Sequence, residues 1–341
     1  MKVMVTGGTG YIGSWVVKLL LERGHEVFLS IRDLSHIQKY RHIEDIEKKH
    51  KGKLHFFKAD LLQNGSFDDV ANQVEAIIHM ASPFTLRFKD PVKDLIEPAV
   101  KGTKNVLSAA SRSKSVKRVV LTSSIAAVHG DNIDMKEQHL EEFSEAQFNT
   151  SSSQWHQPYS YSKVMAEKEA WKMYNEQGKW SLVVINPTLV MGPSLSETSN
   201  SESLALMHDI LTGKYRFGVP KIYFGFVDVR DVAMAHVLAL ENKSVKGRHI
   251  LVERVASIMD ITKIVGEKFP NRFKLPKVEV PKFLLYTVGW AFGLTAKFIK
   301  RNVGYKIKIS SKKSVQDLGL TYTPLETTIC DMVEQMELNK K

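Results

Sequence analysis

Short, almost unbroken apolar runs alternate along the first half of the chain with stretches in which apolar residues recur at helical spacing. KVMVTG (2–7), EVFLSIR (26–32), LHFFKAD (54–60), AIIHMAS (76–82), RVVLTSS (118–124) and SLVVINPT (181–188) are runs of the first kind. They predict strands, and their continuity predicts strands buried on both faces, as in a parallel sheet. SWVVKLLLERG (14–24) and the stretch around VKGTKNVLSAASRS (100–113) are of the second kind. So is the chain from Tyr159 onward, where Val164, Met165, Ala166, Ala170, Trp171 and Tyr174 recur among Lys and Glu. Strand and helix in strict turn predict an α/β fold, a doubly wound parallel sheet with helices on both faces.

Past Asn186 the pattern loosens. SLSETSNSES (194–203) is rich in serine and turn formers and is a candidate mobile loop over a cleft. A strand near YFGFVDVRD (223–231), a helix VAMAHVLALE (232–241), a strand HILV (249–252) and a mostly helical tail follow. The expected organisation is a first domain over 1–188 and a smaller C-terminal substrate lobe over 189–341. The segment 223–252 is a candidate for returning to the first domain. No internal repeat or low-complexity tract interrupts this plan.

Composition narrows the classes. The chain has 341 residues, 43% of them hydrophobic, which suits one large domain or two sharing a boundary. Cys330 is the only cysteine, so no internal disulfide forms and a cysteine-based metal site has almost nothing to work with. The start, MKVMVTGGTGYIG, lacks the apolar core of a signal peptide, and no stretch reaches the ~20 apolar residues that cross a bilayer. These features point to the cytoplasm.

The net charge of +11 is unevenly placed. Between Lys268 and Lys313 stand twelve Lys or Arg against one acid, Glu279, so that segment carries the whole excess and the remainder is neutral. Inside it lies an apolar run, FLLYTVGWAFGL (283–294), too short to span a membrane. A solvated face, weak peripheral contact with an anionic membrane surface and a funnel for an anionic substrate are the three readings. Nucleic acid is not expected as a partner, because no binding motif accompanies the charge.

VTGGTGYIG (5–13) lies where the first strand hands over to the first helix. Gly7, Gly10 and Gly13, and equally Gly8, Gly10 and Gly13, have the spacing of a dinucleotide-binding turn. Residues without Cβ let the backbone approach a pyrophosphate, which then faces the free N–H groups of the helix. Gly7, Gly10, Tyr11, Ile12 and Gly13 are therefore candidate cofactor contacts in a Rossmann-type domain. The second strand ends in Arg32, followed by Asp33. A guanidinium there suits the 2′-phosphate of NADP, and Lys39 adds charge nearby, whereas Asp33 would suit the ribose of NAD. The expected cofactor is NADP(H).

QPYSYSKVMAEKEAW (157–171) offers two tyrosines ahead of one lysine. On a helix, residues four apart are neighbours and residues two apart are not, so Tyr159 can meet Lys163 and Tyr161 cannot. A lysine ammonium favours the phenolate and makes such a tyrosine a candidate proton donor. LTSSIAAVHG (121–130) adds hydroxyls at the carboxyl end of a later strand, where doubly wound sheets bind ligands. A serine there can hold a substrate carbonyl oxygen, Tyr159 can protonate it, and Lys163 can bind the nicotinamide ribose.

With these motifs in this order, the chain resembles the extended short-chain dehydrogenase/reductases, and within them the dihydroflavonol reductase-like group. The resemblance rests on VTGGTGYIG, SIRD, the AD at Asp60, IIHMASP, VVLTSSIAAV, YSYSKVMAEKEAW and NPTLVMGP. It implies Ser124, Tyr159 and Lys163 as catalytic residues, with Ser124 chosen over Ser123. It places Asp60 and Leu61 at the adenine, Met80, Ala81 and Ser82 along the cofactor, and Pro187 and Val190 against the nicotinamide. Asn105 matches an asparagine on the corresponding helix, where a structural role is equally open. The Asn-Trp-Tyr-Cys-Tyr-Gly-Lys run of the group's cinnamoyl-CoA reductases is absent, so a CoA thioester is not the implied substrate.

The implied function is NADPH-dependent reduction of an aldehyde or ketone, a small-molecule carbonyl, by a monomer or homodimer. A 3β-hydroxysteroid-type dehydrogenase, a nucleotide-sugar epimerase and a non-catalytic NADP sensor are the other readings. Phe84 is a candidate pocket wall. His79 reads as packed or cofactor-adjacent, His129 and His156 lack partners at metal-ligand spacing, and Trp155 and Trp171 read as packing residues. No metal is expected.

Overall fold

The computed structural model describes residues 1–82, 89–196 and 201–338. Phe84, the centre of the serine-rich stretch and the side chain of Ala291 lie outside the described residues. The six apolar runs form β1 (Lys2–Thr6), β2 (Glu26–Ile31), β3 (Lys53–Lys58), β4 (Ala76–His79), β5 (Arg118–Thr122) and β6 (Ser181–Pro187). Between them lie α1 (Tyr11–Glu22), α2 (Arg41–Glu47), α3 (Asp68–Ala71), α4 (Glu97–Arg112), α5 (Asp134–Glu137) and α6 (Pro158–Asn175).

The alternation of side chains along each strand explains the two layers of helices. Val3 and Val5 of β1, Ile78 of β4 and Val183 of β6 enter one core, with Val16, Leu20, Val232 and Leu240. Met4, Ile77, Val119, Leu182 and Val184 point the other way, into a core with Val106 and Leu107 of α4 and Ala170 of α6. Adjacent residues of one strand thus serve opposite cores, the period-2 rule acting on a doubly buried sheet.

Beyond β6 come β7 (Leu189–Met191), α7 (Glu202–Leu211), β8 (Val219–Pro220), β9 (Tyr223–Asp228), α8 (Val229–Glu241) and β10 (Gly247–Leu251). Next are β11 (Arg254–Ser257), α9 (Ile258–Lys268) and β12 (Glu279–Val280). The tail is α10 (Lys282–Val288), α11 (Ala296–Asn302), α12 (Lys312–Leu318) and α13 (Leu325–Leu338). The main sheet is parallel and runs β10-β6-β5-β4-β1-β2-β3. β10 pairs with β6, Ile250 opposite Asn186, and so returns to the first sheet from far along the chain. α8 enters the core that backs α1.

The second lobe is built on a small sheet, β11-β9-β7. Its core joins Met207 and Ile210 of α7, Val265 of α9 and Ile329, Met332 and Val333 of α13. Strand order in the main sheet reverses between β1 and β4, and the crevice beyond the carboxyl ends of these strands is where such sheets take ligands. Trp155 differs from its expected packing role: it is 82% exposed, on the turn just ahead of α6. Among the described residues no helix is long and apolar enough to cross a membrane.

Candidate active site

The glycine turn closes tightly over the end of β1. Gly7 has φ +76°, and a Cβ on it would stand 2.8 Å from the backbone nitrogen of Ala81; one on Gly13 would stand 2.1 Å from the carbonyl oxygen of Gly7. Neither position accepts a side chain without moving backbone. Gly10 is the N-cap of α1, no side chain caps that end, and its first turn holds no acid. The first N–H groups of α1 are therefore free to donate to a pyrophosphate, and the cradle fits a dinucleotide.

Tyr11 and Ile12 begin α1. The Tyr11 side chain is buried, and its hydroxyl donates to the Gly192 carbonyl at 2.6 Å, while Trp15 Nε1 donates to the Pro193 carbonyl at 2.8 Å. Burial, reinforced by Asp228, pushes the Tyr11 hydroxyl well above its ordinary pKa. These two straps, which the sequence did not signal, fasten the 192–193 segment to α1.

Arg32 and Lys39 stand exposed at the far end of the crevice, and neither forms an ion pair with a described residue. Asp33 beside them is already engaged. Its Oδ1 accepts from the Ser35 hydroxyl at 2.7 Å and the Ser35 N–H at 2.9 Å, and its Oδ2 lies 2.7 Å from His36 Nδ1. Those bonds hold its carboxyl down to about 2. Just past β3, Asp60 Oδ1 accepts from the Leu62 N–H at 2.8 Å. Asn105 donates to the carbonyls of Leu61 (3.1 Å) and Gln63 (2.6 Å) and accepts from the Gly65 N–H (3.1 Å), so it shapes this loop from α4.

At the ends of the central strands the remaining candidates converge. The Ala81 N–H donates to Thr6 Oγ1 at 3.2 Å, which ties the Met80–Ser82 segment to β1. Ala81, Ser82 and Lys163 share a narrow cavity of about 10 Å³ with His79, Ser123 and Glu167, enough for one water. Pro187 and Val190 are buried where β6 passes into β7.

Tyr159 occupies the first turn of α6, which Pro158 opens and Gln157 precedes at φ +53°. Gln157 holds this left-handed conformation with its side chain donating to Asp131 Oδ1 at 2.6 Å. Ser124 follows β5 at the cap of a short turn (Ile125–Ala127), accepts the Ala126 N–H on its Oγ at 3.1 Å, and its side chain pulls the Tyr159 hydroxyl's pKa down. One turn on, Lys163 Nζ lies 5.9 Å from the centre of the Tyr159 ring. The neighbouring Ser123 points the opposite way and donates to Glu167 Oε2 at 2.5 Å.

The charges differ from a simple lysine-tyrosine picture. Loss of solvent raises Tyr159 to about 12, against a smaller downward pull from the Ser124 hydrogen bond. The same desolvation lowers Lys163 to about 8, partly offset by the Glu167 carboxylate. Burial dominates, and Tyr159 holds its proton at neutral pH.

Glu167 is the residue that sequence reading missed. Its side chain is fully buried, 2.6 Å from Arg248 Nε of β10, and it accepts from Asn186 Nδ2 at 2.8 Å and Trp171 Nε1 at 3.2 Å. Asn186 also donates to the Ser124 carbonyl at 3.1 Å. The Lys163–Glu167 spacing of four was a visible signal; Arg248 had none.

Among the histidines, His79 is buried and bonded to Thr6 Oγ1 at 2.7 Å, His129 stacks on Phe143, and His156 bonds Asp131 at 2.9 Å. No group of three His, Cys, Asp or Glu among the described residues could hold a metal. A larger concavity, about 370 Å³, lies in the second lobe between Lys221, Tyr223, Asp260 and Glu279, and contains none of the candidate residues.

Known proteins with this architecture follow from comparison. The chain is 40% identical to the cinnamoyl-CoA reductase CAD2 of Medicago truncatula, over 99% of this chain and 96% of that protein. It is 32% identical to dihydroflavonol 4-reductase of Arabidopsis thaliana, over 79% and 70%. The yeast methylglyoxal/isovaleraldehyde reductase Gre2, solved in complex with NADPH, superposes with a TM-score of 0.81 at 28% identity over 100% of this chain and 99% of that one. Residues 3–252 match the model of the NAD dependent epimerase/dehydratase family, and the chain is a member of that family, an extended short-chain dehydrogenase/reductase among named reductases.

Proposed function

We propose that the chain reduces an aldehyde or ketone to the alcohol with NADPH, using Ser124, Tyr159 and Lys163 as catalytic residues. The observation that carries this reading is the placing of Tyr159 on the first turn of α6 with Lys163 one turn behind it, Nζ 5.9 Å from its ring, and Ser124 acting on its hydroxyl. Exposed Arg32 and Lys39 support NADPH, since the engaged Asp33 leaves a guanidinium and an ammonium to meet a 2′-phosphate. Gly7, Gly10, Tyr11, Ile12, Gly13, Asp60, Leu61, Met80, Ala81, Ser82, Pro187 and Val190 would complete the cofactor site.

Bound there, NADPH would supply a hydride to the carbonyl carbon. Ser124 orients the carbonyl oxygen, and Tyr159, protonated up to about 12, gives it the proton as the C=O π bond opens. The tyrosinate left behind is stabilised by the Lys163 ammonium until a proton returns from water.

The test is NADPH oxidation, beside NADH, against a panel of aromatic and aliphatic aldehydes and ketones, with Tyr159→Phe in parallel. Turnover with NADPH should fall by about 100- to 10,000-fold in the variant, the usual contribution of a general acid, while NADPH binding persists. Full turnover in Tyr159→Phe would remove Tyr159 from its role. NADPH binding without turnover on any carbonyl would replace reduction by alcohol oxidation or cofactor sensing.

A further inference from the structure

The apolar run inside the basic tail is not a buried core element. Leu285 alone anchors α10, packing with Ile222, Ile299 and Val303. On the outward side Phe283 is 71% exposed, Tyr286 49% and Trp290 80%. Phe283 and Tyr286, three apart, share one face of α10, and Trp290 stands exposed on the short turn (Gly289–Phe292) that continues it. Tyr215 stacks on Phe292, which brings the loop carrying Phe217, 79% exposed, to the same place. Contiguous exposed aromatics of this kind mark an interaction surface.

The charge around the face narrows the partner. Arg272 pairs with Glu337, Lys312 with Glu142, and Arg301 with Asp131, Asp134 and Glu137, so part of the formal excess is neutralised by acids from other segments. Lys297 and Lys300 of α11, whose Ile299 packs against Leu285 of α10, form no ion pair among the described residues, and Glu279, the acid of this segment, is held by Lys221 at 2.9 Å. An apolar face rimmed by free ammonium groups demands an occupant that is apolar in the middle and anionic around it. A second copy of the chain would bring the same lysines face to face and is disfavoured. The boundary between acyl chains and anionic headgroups meets both demands, and phenylalanine, tyrosine and tryptophan are at home there.

We infer that the aromatic face of α10, with its lysine rim, docks the protein on an anionic membrane surface. The helix lies flat and does not insert, since the run is too short to span. Binding draws on two contributions: burial of the aromatics and attraction of the lysines to the headgroups, the second screened by salt.

Co-sedimentation with vesicles of phosphatidylcholine alone or mixed with phosphatidylserine, at low and high salt, tests this. The wild-type protein should pellet with the mixed vesicles at low salt, be released at high salt, and stay in the supernatant with phosphatidylcholine. A Phe283→Ser, Tyr286→Ser, Trp290→Ser triple variant and a Lys297→Glu, Lys300→Glu double variant should each weaken uptake by about tenfold or more while keeping NADPH binding, the check that they fold. Protein that stays in the supernatant with both vesicles overturns the inference. So does uptake that neither variant reduces. A concentration-dependent dimer in analytical ultracentrifugation, lost in the triple variant and unaccompanied by vesicle uptake, would reassign the face to self-association.

Discussion

Glu167 of α6 and Arg248 of β10 form a buried ion pair directly behind the Tyr159–Lys163 turn, with Nε 2.6 Å from Oε1. Arg248 also donates to the carbonyls of Glu145 (3.0 Å) and Gln147, and lies over the Phe148 ring. One carboxylate thereby links α6, the segment just after β5 through Asn186, and the loop ahead of α6. Removing one partner of a buried pair leaves the other charge without compensation.

Glu167→Gln is accordingly expected to lose about 3–5 kcal/mol of stability and to act on chemistry through Lys163. Lys163 sits at about 8, lowered by desolvation and raised by Glu167, so its charge fades as pH rises through that value. Reductive kcat should fall with it, and without Glu167 the fall should begin at lower pH. Glu167→Asp keeps the charge and should restore part of both effects. A pH–rate profile that does not move in Glu167→Gln would reduce the residue to a structural role.

Ser123 and Ser124 separate cleanly. Ser124→Ala removes the hydroxyl facing Tyr159 and should lower kcat by about 100- to 1,000-fold, the effect of one lost donor at a developing oxyanion. Ser123→Ala removes only a bond to Glu167 and should cost about 1–3 kcal/mol of stability with turnover nearly intact. Steady-state kinetics and thermal melts on both variants check this, and the reverse ranking would exchange their roles.

Arg32→Ser should change the cofactor rather than the chemistry. A charge-assisted contact to a phosphate is worth about 1.5–3 kcal/mol, so KM for NADPH should rise about 10- to 100-fold with NADH kinetics little altered. Equal losses with both cofactors would move the 2′-phosphate site elsewhere.

Three desolvated histidines make the fold acid-sensitive. Desolvation lowers His79 to about 3, and His129 and His236 to about 4. His236 Nδ1 lies 2.7 Å from the Val232 carbonyl, so Nδ1 carries the proton and Nε2 accepts from the Thr122 hydroxyl at 2.6 Å. In the unfolded chain each titrates near 6.5. Between those values only the unfolded chain takes up the proton, so stability is complete above about 6.5 and declines as pH falls, by about 1.4 kcal/mol per pH unit for each histidine. Urea midpoints measured from pH 7 to 5, above the carboxylate range, should drop steadily. A flat profile would count against neutral, desolvated imidazoles.

The strands were legible because a doubly buried strand leaves an unbroken apolar run, and the cradle because Gly7 and Gly13 stand where a Cβ would strike backbone. Tyr159 and Lys163 were legible through helical spacing alone. Arg248 was not, since strand register, not sequence distance, brings β10 beside β6. Trp155 was misread because hydrophobicity does not say which side of a turn faces solvent. The basic tail was overcounted, because Arg301 finds its acids in α5 and the loop before it. A formal charge sum sees no tertiary pairing.

The return of β10 to the first sheet governs how the molecule comes apart. The chain leaves β6, builds part of the second lobe, supplies α8 and β10 to the first, departs again, and comes back with Leu318 and Leu320 in the core behind α1. The Thr188 N–H donates to the Leu251 carbonyl at 3.0 Å, clasping the outgoing and incoming strands together. Neither lobe is a continuous stretch that could fold first or be excised whole. Melting should therefore be a single cooperative event, and relatives that share this plan can diverge in substrate range through point changes in loops more readily than through wholesale exchange of a lobe.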